Sequence, residues 1–350
     1  MNKFVSYSII ATSVIIPTLL FAYTGGWLSP GRLTPNKFMD QFHADGAHYP
    51  GYRSNHAQGI CITGYFVSNG NAEAYSVAQV FKKGEVTPVV GRFSIPGPNL
   101  KAPDASLPVR AMALLFEQAN KEQWRTAMLN APAFSSNTPE GFYELIRAQQ
   151  PNPETGKPDG KRIARFKSEH PESKNFFDWV AATPPSRSFA TQSYNSLDTF
   201  YLINRRGVRT KVRWTFESLN TMVPPVSNPQ SHPYFLLKEL PLALKNGPLR
   251  WQLEFTLGGK SDPSLAAVPW PKSLPKIVAG TLFVTSSTPQ VTGECKNVNF
   301  DPTVLPYGMS ISSDPLLPAR SAVYSASYLL RTSQELGIPF ARTVLWPSAQ

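Results

Sequence analysis

Charged residues and cysteines are scarce in this sequence, and each shortage excludes a class of protein. Charged side chains make up 16% of the 350 residues, which is low for the surface of a soluble protein. Two cysteines are too few for a disulfide scaffold or for a zinc site built from cysteine alone. Prolines are instead abundant, at 34. Because proline breaks helix interiors and central strands, a helical bundle or an all-parallel α/β fold is disfavoured.

The chain also lacks the short motifs that identify many enzymes. No GxSxG, HExxH, P-loop, GxGxxG or Cys-x-x-Cys pattern occurs in it. It has instead a basic balance, with 34 Lys and Arg against 23 Asp and Glu and a formal net charge of +11. Nucleic acid, a membrane surface and an anionic ligand must therefore each be considered as a partner.

An apolar run occupies the amino terminus. No charged side chain occurs between Lys3 and Arg32, and the run is apolar for about 20 residues, the length that spans a bilayer as a helix. Because the small-x-small cleavage site is poor, an uncleaved anchor is favoured over a cleaved signal peptide, and a buried soluble helix is the third alternative. We predict an anchor or uncleaved signal over residues 1–31 and one globular domain over residues 36–350.

Segments rich in β-branched and aromatic residues, bounded by turn residues, predict strands along most of the chain. These segments cover residues 60–67, 74–81, 86–95, 110–118, 124–129, 197–203, 208–217, 251–259 and 276–287. Thr138 and Pro139 mark a helix start, with threonine as the cap and proline at the first position. About eight or nine mostly antiparallel strands are too many for one flat sheet with covered edges, so a closed barrel with a helical segment at its end is favoured.

Residues 320–337 have the composition of a helix and end at Gly337, a good carboxy-terminal cap. At about 100° per residue, two arginines and two tyrosines fall within about 80° of one another on this helix. They are Arg320, Tyr324, Tyr328 and Arg331. Arginine is rarely buried without a partner, so this stripe predicts contact with an anionic group; a solvated or partly buried stripe is the alternative.

A second group of polar residues lies just before the first predicted strand. Arg53 and His56 are three positions apart there, and small residues follow the histidine, so its ring is unobstructed. Taken alone, this pattern leaves His56 open to either a structural or a catalytic role.

In order along the chain, these residues and several others resemble the motifs of the haem catalase family, and more closely those of its short peroxidase branch. The matching blocks are Arg53-x-x-His56-Ala57-x-Gly59, Gly64-x-Phe66-Val67, Arg92-Phe93-Ser94, the strand from Arg110, Asn130-Ala-Pro-Ala-Phe134, Pro269-Trp270-Pro271, Phe300-Asp301-Pro302, Pro306-x-Gly308, Ser313-Asp314-Pro315 and Arg320-x-x-x-Tyr324. They span residues 36 to 335 approximately. Each block alone is weak, but the ordered set is specific.

The resemblance implies an α+β fold in which a catalase-like, antiparallel, eight-stranded β-barrel with surrounding helices encloses a haem b. It implies that the phenolate of Tyr324 is the axial ligand of the haem iron and that Arg320 pairs with that oxygen. It also implies that His56 is the distal base, with Asn130 beside it to polarise a bound peroxide.

The remaining cofactor-binding residues follow from the same resemblance. Arg53, Arg92 and Arg331 would hold the haem propionates, for which the forked geometry of arginine is suited. Ser94 would hydrogen-bond the far nitrogen of His56 and fix its tautomer. Phe134 and Phe142 would pack on the porphyrin; a role as ordinary core aromatics is the alternative.

As a function, the resemblance implies a peroxidase that reduces organic hydroperoxides, and hydrogen peroxide weakly, with electrons from a small-molecule or protein donor. Two departures from the family pattern favour this over dismutation of hydrogen peroxide. Pro108 stands in place of the aspartate of the narrow channel, which predicts a more open pocket, and Asp198 stands where a histidine often precedes Thr-Phe. The long terminal arms through which catalases interlock are not evident, so we expect a monomer or a small homo-oligomer.

The expected partners follow from the same assignments. The amino-terminal segment would bind a membrane, and we expect the soluble domain to lie in a bacterial periplasm, although the flanking charges specify orientation weakly. Nucleic acid is not expected, because propionates and a phenolate already provide anionic partners for several arginines. Cys61 and Cys295 are expected to stay unpaired, since a disulfide between them is not specified by the sequence.

Three alternatives remain open from the residues. The first is a haem enzyme that rearranges fatty-acid hydroperoxides instead of reducing them. The second is a non-enzymatic haem-binding or haem-storage protein on the same fold. The third is a haem-free barrel that serves as a binding module or as a basic nucleic-acid binder, whose affinity would fall with salt.

Overall fold

The computed structural model describes residues 3–24, 28, 31–44, 49–152, 154–221 and 233–337, so residues 338–350 of the predicted globular domain lie outside the described part. The helices are α1 (Lys3–Thr24), α2 (Pro35–Phe42), α3 (Pro139–Ala148), α4 (Gly160–Glu169), α5 (Lys174–Ala182), α6 (Leu236–Leu244) and α7 (Leu316–Glu335). Within α1, the stretch Phe4–Tyr23 is long and apolar enough to cross a membrane, by length and composition. Its large apolar side chains are exposed, which suits either an anchor or a signal sequence.

Antiparallel strands form one sheet that closes on itself. The strands are β1 (Gly59–Ser68), β2 (Val86–Ser94), β3 (Ala111–Glu117), β4 (Gln123–Leu129), β5 (Tyr194–Asn195), β6 (Phe200–Ile203), β7 (Arg209–Ser218), β8 (Leu249–Gly258), β9 (Lys276–Pro289) and β10 (Met309–Ile311). Hydrogen bonds join them in the order β10-β6-β7-β5-β4-β3-β2-β1-β9-β8, and β7 also pairs with β8. That last pairing closes β7, β5, β4, β3, β2, β1, β9 and β8 into a barrel, which confirms the predicted antiparallel barrel with helices around it.

One predicted strand is wrong. Residues 74–81 do not join the sheet but form short 3-10 turns at Asn71–Ala74 and Gln79–Phe81. Val80 and Phe81 are fully buried, and the Phe81 ring contacts aromatic rings of β4 and β8. The β-branched and aromatic residues that predicted a strand therefore pack against the barrel core without forming one.

Aromatic side chains fill the inside of the barrel. The Phe116 and Trp124 rings stack with centroids 4.4 Å apart, and Trp124 meets Trp214 edge-on at 5.3 Å. These rings belong to one continuous buried cluster, so the interior is a packed core. Side chains on a strand alternate between faces, and the residues between these aromatics therefore face outward, where a ligand can approach.

The two cysteines form a disulfide, so the expectation that they stay unpaired is wrong. Cys61 lies in β1 and Cys295 in a 3-10 turn after β9, with their Cα atoms 5.3 Å apart. Because β9 pairs with β1, the turn that follows β9 folds back over Cys61. A sequence separation of 234 residues hides this proximity from any local pattern.

An ion-pair cluster joins α3 to the turn after α4. His170 Nε2 lies 2.7 Å from Glu144 Oε2, and Nδ1 lies 3.1 Å from Glu172 Oε1. The ring also stacks on Phe166, with centroids 4.4 Å apart. Burial lowers the pKa of His170, but hydrogen bonds and charge from the two glutamates outweigh it, and the net pKa is raised.

We expect His170 to make folding more favourable at acidic than at alkaline pH. Since its pKa is raised in the folded state, its stabilisation is fully present below pH 6.5 and is lost as the pH rises through the folded-state pKa. We expect urea unfolding at pH 5.5 and 8.5 to show that the free energy of unfolding changes less with pH in His170→Gln than in the wild type, by less than about 1 kcal/mol. Arg165→Gln, which breaks an exposed pair on α4, is the control; an identical pH dependence in wild type and His170→Gln would contradict this prediction.

Candidate functional site

A large cavity lies between the outer face of the barrel and helix α7. It contains about 1330 Å³ of space, counting its open mouth, and its other walls come from α2, α3 and residues 53–56 and 298–300. On the barrel side, Ala113 of β3 pairs with Arg92 of β2 and with Ala127 of β4. These three residues share the outward face, and the two alanines add little side-chain bulk to the cavity wall.

Helix α7 carries the predicted stripe into this cavity. It begins at Leu316, four residues before the predicted segment, and ends at Glu335. The stripe residues Arg320, Tyr324, Tyr328 and Arg331 all line the cavity. The guanidinium carbon of Arg320 lies 5.8 Å from the centre of the Tyr324 ring, so the structure brings these two side chains together.

Arg320 has a buried carboxylate as its partner. It forms an ion pair with Asp198, just before β6, and donates a 3.1 Å hydrogen bond to the Ala127 carbonyl. Burial lowers the pKa of Arg320, but the charges of Asp198 and Tyr324 outweigh it and raise the pKa above its usual value. Asp198 thus holds the guanidinium that touches Tyr324. Its only signal in the sequence is its place where the family pattern often has histidine.

A second carboxylate supports this pair. Asp314 lies just before α7, and its Oδ1 accepts a 3.0 Å hydrogen bond from Leu316 N. Its Oδ2 is buried without a hydrogen-bond partner among the described residues. Burial and the neighbouring Asp198 raise the pKa of Asp314, whereas the charges of Arg320 and Arg213 lower it.

His56 lines another wall of the cavity, in a constrained backbone. Its φ of 54° is in the left-handed region, and its N–H donates to Asn55 Oδ1 at 2.8 Å. Ser94 Oγ lies 3.2 Å from His56 Nδ1, which leaves Nε2 as the ring nitrogen for a ligand. Burial, followed by the charges of Arg92, Arg320 and Arg53, lowers the pKa of His56 to about 3. The site therefore favours the neutral imidazole.

The oxygen atoms that hold Arg53 and Arg92 carry no formal charge. Arg53 Nη2 donates to the carbonyls of Cys295 and Val298 at 2.9 and 3.0 Å. Arg92 Nη2 donates to the His56 carbonyl at 2.7 Å and to the side-chain oxygen of Gln290 at 2.6 Å. These bonds fix the two guanidiniums without cancelling their charge.

Arg331 completes a group of three cavity arginines and is the least satisfied of them. It is 3% exposed, and its Nε and Nη2 have no hydrogen-bond partner among the described residues. Burial, followed by the positive charge of Arg331, lowers the pKa of Arg92 to about 9. The pKa of Arg53 is lowered in the same way, by burial and then by the positive charges of Arg92 and Arg331. This end of the cavity therefore favours a bound anion.

The structure does not bring Asn130 into the cavity with His56. Its Oδ1 accepts from Arg110 N at 2.7 Å, and its Nδ2 donates to the Pro108 carbonyl and to Gln192 Oε1. The preceding residue, Leu129, lines the cavity instead. The contacts of Asn130 fasten chain segments together and do not support its expected role on a peroxide.

Aromatic residues form the remaining apolar wall. Phe134 and Phe142 both line the cavity, as expected, and their ring centroids lie 5.1 Å apart. Helix α2 adds Phe38, Met39 and Phe42 to the same wall. The contribution of α2 is not marked by any motif in the sequence.

Comparison with known proteins gives concordant results. A family model described as catalase matches residues 36–228. The chain is 35% identical over 332 residues to a catalase-related peroxidase of Synechococcus elongatus, which covers 92% of this chain and 94% of that relative. It is 29% identical over 316 residues to a catalase-related peroxidase of Mycolicibacterium paratuberculosis, which covers 88% of this chain and 97% of that relative.

Longer catalases share the fold with this chain. The solved structure of catalase A from Saccharomyces cerevisiae superposes with a TM-score of 0.72 at 20% identity, covering 84% of this chain and 64% of that one. A catalase of Pseudomonas aeruginosa is 27% identical over 302 residues, and the match spans 58% of its length. With a family model that covers more than half of its residues and a close relative along nearly its whole length, this chain belongs to the catalase family.

Proposed function

We propose that the protein is a haem-dependent peroxidase that reduces organic hydroperoxides, and hydrogen peroxide weakly, with an external electron donor. Family membership and the names of the two short relatives support peroxidase chemistry on the catalase fold. The observation that carries the proposal is the buried guanidinium of Arg331, whose Nε and Nη2 have no hydrogen-bond partner among the described residues, in the same cavity as Tyr324 and His56.

The residues present fit a haem b. Its two propionates would pair with Arg53, Arg92 and Arg331, since a guanidinium binds carboxylate through paired hydrogen bonds. Tyr324 would supply an anionic oxygen to the iron, with Arg320 beside the ring to stabilise it. When bound, the haem iron supplies the centre at which the peroxide bond is broken and electrons are exchanged.

His56 is the proposed proton carrier. Its neutral imidazole can take the proton from the near oxygen of a hydroperoxide and return it to the oxygen that leaves. Ser94, at Nδ1, holds the ring and its tautomer. Overall, one hydroperoxide, two electrons and two protons give one alcohol and one water, and the external donor supplies the electrons.

The preference for organic hydroperoxides rests on the cavity wall. Phe38, Met39 and Phe42 of α2 add apolar surface to the cavity, which suits an alkyl group better than a small polar peroxide. This apolar surface favours reduction of alkyl hydroperoxides over dismutation of hydrogen peroxide.

A location outside the cytoplasm is part of the proposal. Helix α1 offers a candidate membrane span, and the Cys61–Cys295 disulfide is of the kind that persists in oxidising compartments such as the periplasm. We infer a domain tethered to a bacterial membrane on its periplasmic side, as a monomer or a small oligomer.

The cofactor part is tested by haem retention. We expect the purified protein to show a Soret band and the Tyr324→Phe variant to show an altered one. The Arg331→Leu variant should lose haem to excess apomyoglobin about 10- to 100-fold faster than the wild type, because the substitution removes charge-assisted hydrogen bonds to a carboxylate. Arg147→Leu, at an exposed arginine of α3, is the matched control. Equal loss rates in the two leucine variants would argue against the propionate assignment.

The reaction is tested by separating donor oxidation from oxygen release. With an alkyl hydroperoxide and a phenolic donor, we expect steady donor oxidation and recovery of the alcohol, and His56→Ala should slow this by about 10²- to 10⁴-fold while haem content is retained. His170→Ala is the histidine control. Fast oxygen release from hydrogen peroxide without donor oxidation would exclude the proposal, and a rearranged product would identify the alternative enzyme class.

The pH dependence should reflect the low pKa of His56. Because burial is the main cause of a pKa near 3, His56 stays neutral, and therefore competent as a base, as the pH falls through 6.5. We expect the stopped-flow rate constant for reaction with an alkyl hydroperoxide to stay flat between pH 5 and 8. An acid limb with its midpoint near 6.5 would show that His56 titrates as an ordinary histidine.

A further inference from the structure

The chain segment that follows β9 carries oxygen atoms that hold two of the cavity arginines. Arg53 Nη2 donates to the carbonyls of Cys295 and Val298. Arg92 donates through both Nε and Nη2 to Gln290 Oε1, at 3.2 and 2.6 Å. All of these acceptors lie within residues 290–298, so the position of this segment contributes to where the two guanidiniums point.

The same segment braces the backbone at His56. Gln290 Nε2 donates to the Ala57 carbonyl at 2.8 Å, and Arg92 Nη2 reaches the carbonyls of His56 and Ala57 at 2.7 and 3.2 Å. Four neighbouring groups thus form one hydrogen-bonded set. A shift of Gln290 would therefore displace Arg92 and weaken the hydrogen bonds that hold the His56 backbone in its left-handed conformation.

The disulfide is the fixed point of this segment. Cys61 and Cys295 are both fully buried, and Gly293 packs so closely that a Cβ there would lie 2.7 Å from Cys61 Sγ. Another attachment of the segment, the Lys296–Glu335 ion pair at 3.6 Å, involves a lysine side chain that is 38% exposed, and such a pair holds a backbone weakly. The covalent bond to β1 therefore ties the segment to the barrel wall at the edge of the cavity.

We propose that the Cys61–Cys295 disulfide is a positioning element of the site. It fixes residues 290–298 so that Arg53 and Arg92 are oriented toward a ligand's carboxylates and the backbone of His56 is braced. The inference rests on the proposed haem site. Arg331 belongs to α7 and makes no hydrogen bond to this segment among the described residues. It acts on Arg53 and Arg92 through charge alone, so it provides an internal reference against which the effect can be measured.

The test compares haem loss from the holoprotein with and without the disulfide. In Cys61→Ala/Cys295→Ala, we expect haem transfer to apomyoglobin to quicken by at least about tenfold, because two charged donors lose their fixed orientation. Loss of a long-range disulfide also lowers global stability. A Phe255→Leu variant, altered in the barrel interior, is therefore compared at matched lowering of Tm and should retain haem like the wild type.

Double-mutant cycles then separate positioning from general destabilisation. If the disulfide acts through Arg53, its removal should quicken haem loss much less in an Arg53→Met background than in the wild type. In an Arg331→Leu background, removal of the disulfide should increase the rate of haem loss by the same factor as in the wild type. Gln290→Ala, which leaves the disulfide intact, should quicken haem loss and slow peroxide reaction through Arg92.

Specific outcomes overturn the proposal. Two titratable thiols in denatured, unreduced wild type would show that the bond is absent. If the wild type and the cysteine variant lose haem at equal rates, the disulfide only stabilises the fold. The same conclusion follows if the effect of removing the disulfide on the haem-loss rate multiplies with that of Arg53→Met as fully as with that of Arg331→Leu. A wild type that binds no haem would overturn the proposed function with it, whereas failure of the cycles alone leaves that function standing.

Discussion

Positive charge buried at one end of the cavity is the constraint on which the site depends. Removing a guanidinium from water is costly unless an anion or good acceptors replace the solvent. Arg320 meets that requirement inside the protein, through Asp198. Arg53 and Arg92 are held by carbonyl and amide oxygens, and Arg331 keeps unpaired nitrogens. The protein thus neutralises the cation beside Tyr324 and leaves three cations for a ligand, which is how the same residue type serves two purposes in one cavity.

The barrel makes this arrangement stable by separating packing from binding. Its interior is filled by aromatic rings such as Phe116, Trp124 and Trp214, so the strands form a rigid wall. On the outer face, alternation along β3 and β4 places Ala113 and Ala127 beside Arg92. Helix α7 covers that face at a distance, and the gap between them is the cavity. A ligand can therefore be accommodated without a break in the core.

Much of this arrangement could be predicted from the sequence because it is encoded in local periodicity. Strand segments were recognisable from β-branched and aromatic runs, and the stripe on α7 from helical spacing. Segment 74–81 misled because a buried turn that packs on a core uses the same residue types as a strand. For Asn130 a motif names the residue type without stating which of two neighbours faces the cavity; Leu129 lines that wall, and the role of Asn130 stays a prediction.

The sequence alone was therefore enough for the class of fold and the family, and it named cationic and aromatic candidates for a site. Tertiary structure decided which of them meet. Arg320 and Asp198 are 122 positions apart, and Cys61 and Cys295 are 234 apart. Their proximity depends on strand register and on the return path of loops, which no local pattern encodes. For that reason the partner of Arg320 and the disulfide that fastens Arg53 and Arg92 became visible only in the folded chain.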